Sequence, residues 1–590
     1  MYHEIHERVS KAFKFDEWEN NYIKTKSLRQ NTWDSVVETC TKMRDNEYPE
    51  DSKLPNAQDF TGELYKENLI HKYARYNVSM MTGSLVTYDL QSITSFRDEN
   101  TELLESELNM SSAIIDIFKQ TTETLYDWFY TGMGYIRVWW DKLSITVANE
   151  TGEPRVSYVS SLKMYLDPSC VEADKSDIRY LFHVERYHWQ NLATRFPKWE
   201  KEFECNKDPK DTVEIVTIQF KVDEIIPSVT ITDNGQHPSK KWIIPVSDYQ
   251  KFLNEGNECL EDVDVSCPYE VRKTFWYEAT ICPAIKEIIA YPKFVGEHCS
   301  YVILTGDKYS KSIYNRGQAW ALIPLQKKHI VLMTTLVLMN YKFLNPDKWI
   351  ASDALVDERD YLDNNNQLNY VAKVDTDWLT RNHGRDPINY VQRGEFAQMS
   401  MAIHNLLNST LEDMSGVTKT MTGQPEYSNM SGVAVSQHQS MGQVFFKESR
   451  IKYQQFLTEL GRRLMFLICR HRDQAHFVRY FGIDNQEQMV LVNDPENSPF
   501  TFEPERVMIF CKMVENLDLQ QQIDRDIALQ LYQLGLMSGV NVLEKMGITN
   551  PQRVYDSAKS EQGVLELIQV LQANPEVLQR VQQMLMQGVA

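Results

Sequence analysis

Apolar residues recur at three- and four-residue spacing over Val36–Arg44 and Thr61–Met81, which predicts helices within the first 150 residues. A longer helical pattern runs from Ser111 to Tyr130. It stops at Thr131-Gly132-Met133-Gly134, where two glycines permit a sharp turn. The chain then reads as extended, because Tyr135–Trp140 is rich in strand formers. Strands predominate from 145 to 300. Val213–Val222 alternates apolar and polar residues as a half-buried strand does, Phe275–Ile281 is a second strand, and Asp233-Asn234-Gly235 marks a turn. Arg186–Phe196 reads as a short helix stopped by Pro197.

The pattern changes at Gly317. Gly317–Lys342 is helical in composition and apolar on most faces in its second half; at 1.5 Å per residue it is roughly 39 Å long. Pro324 lies inside it, so the helix either kinks or begins there. A helix apolar around most of its circumference must be covered on several sides. An excursion over 343–395, rich in Asp, Asn and aromatics, separates it from a second helix, Phe396–Met414, whose Met399, Ile403, Leu406 and Leu407 share a face. Ser415–Met430, with Gly416, Gly423 and Pro425, is a loop. Ser431 is placed to cap a helix reaching Arg472, which Gly442 and Gly461 weaken. Helix returns from Leu517, with breaks at Gly535–Gly539, between Gly547 and Pro551, and at Asn574-Pro575. The fold class expected is α+β, mainly helical, without internal repeats.

Composition narrows the function classes. A chain of 590 residues supports several domains, and 42% hydrophobic residues with 12 Trp and 30 Tyr exclude a disordered chain. The formal net charge of −20 excludes the basic surface of a tight nucleic-acid binder, so any DNA contact is loose or confined to a few basic residues. The nine Cys are odd in number and contain no CxxC pair, which argues for reduced intracellular thiols over a disulfide framework or zinc site. The amino-terminal segment has no apolar signal region. The longest largely apolar stretch, Ile330–Met339, is too short to span a bilayer, so a cytosolic protein without a membrane anchor is expected.

Candidate chemistry is sparse. There is no P-loop, no GxGxxG after a strand, no GxSxG and no HExxH, and no cofactor is implied. His183, Glu185 and His188 lie close in sequence, but their spacing does not match a helical zinc motif and a structural role is expected. His3 and His6 read as exposed. Asp353, Asp357, Glu358 and Asp360 could hold a metal or run acid–base chemistry, although a solvated acidic face is the favoured reading. Lys308 and Lys311 precede the apolar helix, Lys327 and Lys328 lie in it, and Lys419 stands in the Gly/Ser loop. A lone loop lysine is ordinarily just exposed. Repeated around a ring, it becomes a girdle of positive charge able to touch phosphates without gripping any base.

Three stretches together resemble the portal proteins of tailed bacteriophages, the head-to-tail connectors, in their short-tailed (podovirus) branch. The first is Asp127–Val138, a helix, Gly-x-Gly, strand transition. The second is Leu166-Asp167-Pro168-Ser169-Cys170 followed by Ser176-Asp177-Ile178-Arg179-Tyr180 and a helix ending at Phe196-Pro197. The third is the order of parts from Arg316 to Arg472: a long helix with Gln326 and Asn340, an excursion containing Ala354-Leu355-Val356-Asp357, a second helix, a Gly/Ser loop, and Ser431-Gly432-Val433-Ala434 opening another helix. The resemblance spans about 60–560 and leaves the first 50 and last 30 residues unmatched.

This resemblance implies a structural, non-enzymatic subunit of a ring, usually of twelve copies, with wing, stem, clip and crown regions. By order of parts, the wing is 1–300, the approach to the stem and the first stem helix 301–342, the clip 343–395, and the second stem helix 396–414. The tunnel loop is then 415–430, the long helix and return to the wing 431–515, and the crown 516–590. It further implies DNA-channel contacts for Lys419, Lys327 and Lys328, and clip contacts with partners for Trp349, Asp357, Tyr361 and Trp378. The implied partners are double-stranded DNA passing through, the terminase, major capsid or scaffolding protein, and tail or adaptor proteins. The implied place is the capsid vertex of the virion, and the host cytoplasm during assembly. Two alternatives stand beside it: another virion assembly component (a minor capsid or tail adaptor protein), and a metal-dependent nuclease using the acids at 353–360.

Overall fold

The computed structural model describes residues 2–47, 67–83, 85–92, 99–145, 151–233, 240–246, 269–344, 348–364, 373–383, 385–386, 388–390, 396–417, 432–472, 476–481, 487–493, 507–514, 528–533 and 537–545. The chain divides into two units. One comprises Met1–Trp33, Asn77–Gly317 and Gly432–Ala590; the other comprises Asp34–Tyr76 and Gln318–Ser431.

The elements fall largely into runs of helices and runs of strands, as in an α+β fold. The first helices are α1 (Tyr2–Ala12), α2 (Phe15–Arg29), α3 (Ser35–Arg44) and α4 (Leu69–Thr82), followed by β1 (Leu85–Ser92), α5 (Glu99–Ile115) and α6 (Ile117–Thr131). A strand-rich stretch contains β2 (Met133–Ile145), β3 (Thr151–Val159), β4 (Met164–Leu166), β5 (Tyr180–His188), β6 (Thr212–Asp233), β7 (Lys240–Pro245), β8 (Tyr269–Cys282), β9 (Glu287–Gly296) and β10 (Tyr301–Thr305), interrupted by the short helices α7 (Trp189–Arg195) and α8 (Glu200–Cys205). Then come α9 (Ala319–Leu344), β11 (Lys348–Ile350), α10 (Glu358–Asn364), α11 (Thr376–Arg381), β12 (Ile388–Tyr390) and α12 (Phe396–Ser415). The last part holds α13 (Gly432–His471), β13 (His476–Phe481), β14 (Glu487–Val492), β15 (Val507–Val514) and α14 (Gly539–Lys545).

In the first unit a six-stranded antiparallel sheet, β4-β5-β6-β8-β9 with β7 paired to β6, carries the main core. Phe182, Val216, Ile218, Phe275, Tyr277 and Ile281 project from it against Ile5, Val9, Phe13 and Tyr22 of the amino-terminal segment. The first 33 residues are therefore core-forming. Their closing anchor is Arg29, buried at 4% exposure, which donates to the carbonyls of Leu162 at 2.8 Å and Met164 at 2.6 Å and stacks 3.7 Å over the Tyr165 ring. His6, expected to be exposed, is half-buried and bonds through Nδ1 to the Tyr277 hydroxyl at 2.8 Å.

Two expected helices differ in extent. Ser111–Tyr130 is not one helix: Asp116, at φ 54°, divides it into α5 and α6 in a left-handed conformation that Asp tolerates better than most residues. Arg186–His188 is strand, because it pairs with Thr212–Glu214 of β6, and the helix begins only at Trp189. The glycine turn at the end of α6 is as expected. Gly132 has φ 87°, its N–H reaches the Trp128 carbonyl at 2.9 Å, and a Cβ there would lie 2.3 Å from the Arg316 carbonyl carbon.

The turn leads into the three-stranded sheet β10-β2-β3, and a separate ribbon pairs β1 with β15. Neither edge of that ribbon is open at its centre. On one edge Asn109 of α5 accepts from the Tyr88 N–H and donates to the Tyr88 carbonyl, both at 2.9 Å. On the other, Gln454 of α13 donates to the Cys511 carbonyl at 2.7 Å, and Thr458 accepts from the Cys511 N–H at 3.3 Å. The Tyr88 ring covers Gly461, which explains a glycine inside a 40-residue helix. A buried ion pair, Arg472 with Glu107, joins the end of α13 to α5.

In the second unit α9 packs on α12 and on α3. The helix read over Gly317–Lys342 runs from Ala319 to Leu344 with Pro324 inside its second turn, so the proline neither starts nor ends it. Among the described residues no helix is long and apolar enough to cross a membrane.

Candidate functional site

The pair α9 and α12 holds most of what is unusual in the second unit. Along α9 the buried positions Ala319, Leu322, Ile323, Gln326, His329, Ile330 and Thr334 recur at helical spacing and define one inward face. Two of them bring polar groups inward. Gln326 accepts from the Leu69 N–H at 3.1 Å and donates to the Glu67 carbonyl at 2.6 Å, so it supplies the acceptor that the first turn of α4 lacks. His329 places Nε2 3.4 Å from the Glu67 carboxylate, with its ring 5.4 Å from that of His404 on α12. Burial lowers the pKa of His329, Glu67 opposes this, and His404 adds to the lowering. Tyr73 of α4 is pushed up to about 12 by burial, with Glu412 and Glu67 adding to it.

α12 has two apolar stripes. Leu411 and Ser415 are buried and His404, Leu407 and Asn408 half-buried, forming the face that packs within the chain. Ile403, Leu406 and Met414 are 40%, 65% and 43% exposed. At 100° per residue they lie about a third of the circumference away. Ile403, Leu406 and Leu407 share one side of the helix, as their spacing predicts, and of these Leu407 alone borders the packed face. On α9, Leu332, Met333, Thr335, Leu336 and Met339 are half-exposed, and Val337 reaches 42%.

The lysines read from the sequence are placed unequally. Lys328 is exposed on the side of α9 opposite its buried face; Lys327 is half-buried on the flank and makes an interaction there. Lys308 and Lys311 are exposed. Lys419 lies outside the described residues. In the excursion after α9, Trp349 sits in β11, opposite Asn389 of β12. The Asp357 carboxylate accepts from the N–H groups of Arg359 and Asp360, both at 3.1 Å, and so caps α10. Tyr361 is buried at 4% exposure. Trp378 is half-exposed on α11, which Asp375 caps. A bridge between Leu355 and Val374 ties the Asp357 and Trp378 segments together, whereas the strand pairing of Trp349 is with Asn389 of β12.

Neither candidate chemical cluster stays whole, although His183 Nε2 keeps the Glu185 carboxylate at 3.8 Å. Asp353 is in a 3-10 turn and Asp357 caps a helix, so the acids at 353–360 do not line one helical face. Among the described residues no three His, Cys, Asp or Glu side chains gather as a metal site. His183 is buried, bonds through Nδ1 to the Tyr301 hydroxyl at 3.0 Å, and is pushed down to about 4, chiefly by burial. His188 stands apart and accepts from the Gln190 N–H at 3.4 Å as a helix cap. Both serve the fold. Sequence reading missed Gln326 as an anchoring residue; its signal was an amide at helical spacing with the apolar Leu322, Ile323 and Ile330.

Residues 118–587 match the family model of the phage P22-like portal protein. The chain belongs to that family. It is a phage portal protein, a structural component of the virion located at the capsid vertex where head meets tail. The match begins inside α6 and ends at 587, so it extends past residue 560 into the carboxy-terminal stretch that the resemblance left unmatched. A search of curated proteins finds no match.

Proposed function

We propose that this portal protein is one subunit of a twelve-copy ring of the short-tailed-phage type. The ring forms the channel for DNA packaging and ejection, docks the terminase during genome loading, and then binds tail or adaptor proteins. One observation carries the ring: α12 leaves a second apolar stripe, Ile403, Leu406 and Met414, that its own chain does not cover. Burying one such side chain contributes about 1.5–3 kcal/mol, and a ring offers each helix pair a neighbour on both sides. α9 and α12 are then the stem, 343–395 the clip, 415–430 the tunnel loop, 516–590 the crown, and 1–300 with 431–515 the wing. Lys328, opposite the packed face of α9, together with Lys327 and Lys419, supplies scattered positive charge to a channel whose subunits each carry −20. Such a wall keeps a duplex mobile, because few counterions are released on contact. In the clip Trp378 and Trp349 are the residues that meet partners, and the Asp357 cap and buried Tyr361 hold the shape of the segment beside Trp378. Assembly takes place in the host cytoplasm.

The test is electron microscopy of the purified full chain beside Leu406→Glu. Wild type is expected to form closed rings with a hole wide enough for duplex DNA, and the variant to stay folded but unassembled. Rings formed equally well by Leu406→Glu remove the stripe from the interface. A nuclease is not favoured: Asp353 lies in a 3-10 turn, Asp357 caps the helix that carries Glu358 and Asp360, and among the described residues no three acids gather as a metal site.

A further inference from the structure

Beside the last turns of α13, the loop that follows β9 leaves a cavity of about 330 Å3, wholly within the first unit. Val138, Phe466 and Leu467 give it an apolar lining. Arg463 and Arg470 stand two turns apart on α13 and border it. Their commitments differ. Arg463 donates to the Cys299 and Tyr301 carbonyls and to the Glu459 carboxylate, so its hydrogen-bonding capacity is used. Arg470 donates once, from Nη1 to the Val295 carbonyl at 2.7 Å, and lays its guanidinium 4.6 Å over the Phe294 ring. Among the described residues no carboxylate lies within ion-pair distance of it. His298 turns its ring to Phe466, centroids 4.7 Å apart. Burial lowers its pKa, with Arg463 and Arg462 adding to this against Glu459, so it meets a ligand as a neutral ring.

An exposed guanidinium with unused donors beside an apolar cavity, on which the rim residue Glu297 acts only from beyond ion-pair distance, fits one chemistry: an anion on an apolar body. A carboxylate would take the free Arg470 donors in charge-assisted hydrogen bonds. The body would fill a space at the small end of the range for organic ligands. We propose that this cavity binds an aromatic or branched apolar group bearing one carboxylate, held by Arg470 and seated on Phe466, Leu467 and Val138. The same chemistry is offered by a free organic acid and by the carboxy-terminal residue of a partner protein.

The experiment compares indole-3-propionate with its primary amide by calorimetric titration into the full-length protein. The acid is expected to bind about tenfold tighter or more, a difference of about 1.4 kcal/mol, and Arg470→Gln is expected to close the gap while leaving the amide unchanged. The peptide Gly-Gly-Gly-Trp with a free carboxy terminus decides the source. Affinity equal to that of the acid supports a protein terminus, and its failure while the acid binds supports a free ligand. Equal binding of acid and amide, or no binding of either, overturns the proposal without need of a variant. A gap that persists in a folded Arg470→Gln overturns the role of Arg470.

Discussion

His183 and Gly461 each make a measurable claim. Burial holds His183 near 4 against an ordinary value of about 6.5. Between those values the unfolded chain binds the extra proton, so the contribution of His183 is complete above about pH 6.5 and is lost as pH falls toward 4. Thermal unfolding across that window is expected to show a shallower fall in Tm for His183→Asn than for wild type; equal slopes would place the acid sensitivity elsewhere. For Gly461→Ala two effects compete. Helix propensity favours Ala by about 1 kcal/mol, but a Cβ would stand 2.3 Å from Tyr88 Cε1, and Tyr88 is 1% exposed with little freedom to move. Overpacking of about 1–3 kcal/mol or more is expected to win, seen as a lower urea midpoint. Gly461 was visible in the sequence as a weak point of a helix, but its partner was not, because Tyr88 lies more than three hundred residues away.

Among the elements, the β1–β15 ribbon has its centre closed by side chains instead of strands. Asn109→Leu leaves the buried Tyr88 N–H and carbonyl without Asn109, at about 1–3 kcal/mol for each orphaned group, and faster amide hydrogen exchange is expected at Tyr88. Unchanged protection there would mean that the edge is satisfied in another way. The same elements show what patterning could reveal. α9, α12, α13, β2, β6 and β8 were readable because each keeps one period over many residues. The break at Asp116 was not, since it depends on one residue adopting φ 54°. Nor was the assignment of Arg186–His188 to β5, which cross-strand pairing with β6 decides. On α12 the spacing revealed apolar character but could not say which of two stripes its own chain covers.

At the scale of the whole chain, charge and apolar surface pull in opposite directions. Each copy carries −20, which repels other copies, whereas the stripe on α12 draws them together. Sedimentation of the purified protein is therefore expected to show more assembly as salt rises toward about 1 M, where the screening length falls to about 3 Å. Dissociation by salt would instead mark an interface held by ion pairs. The division into units has a further consequence, in time. Residues 34–76 belong with 318–431, yet some 240 residues of the other unit are synthesised between them. At about 5–20 residues per second, the apolar side chains of α3 and of the start of α4 wait on the order of ten to fifty seconds before α9 leaves the ribosome. During that interval Val37, Met43 and Ile70 are bait for chaperones; a pause before residue 318 lengthens it, and a truncation there yields a chain that can never close its second unit.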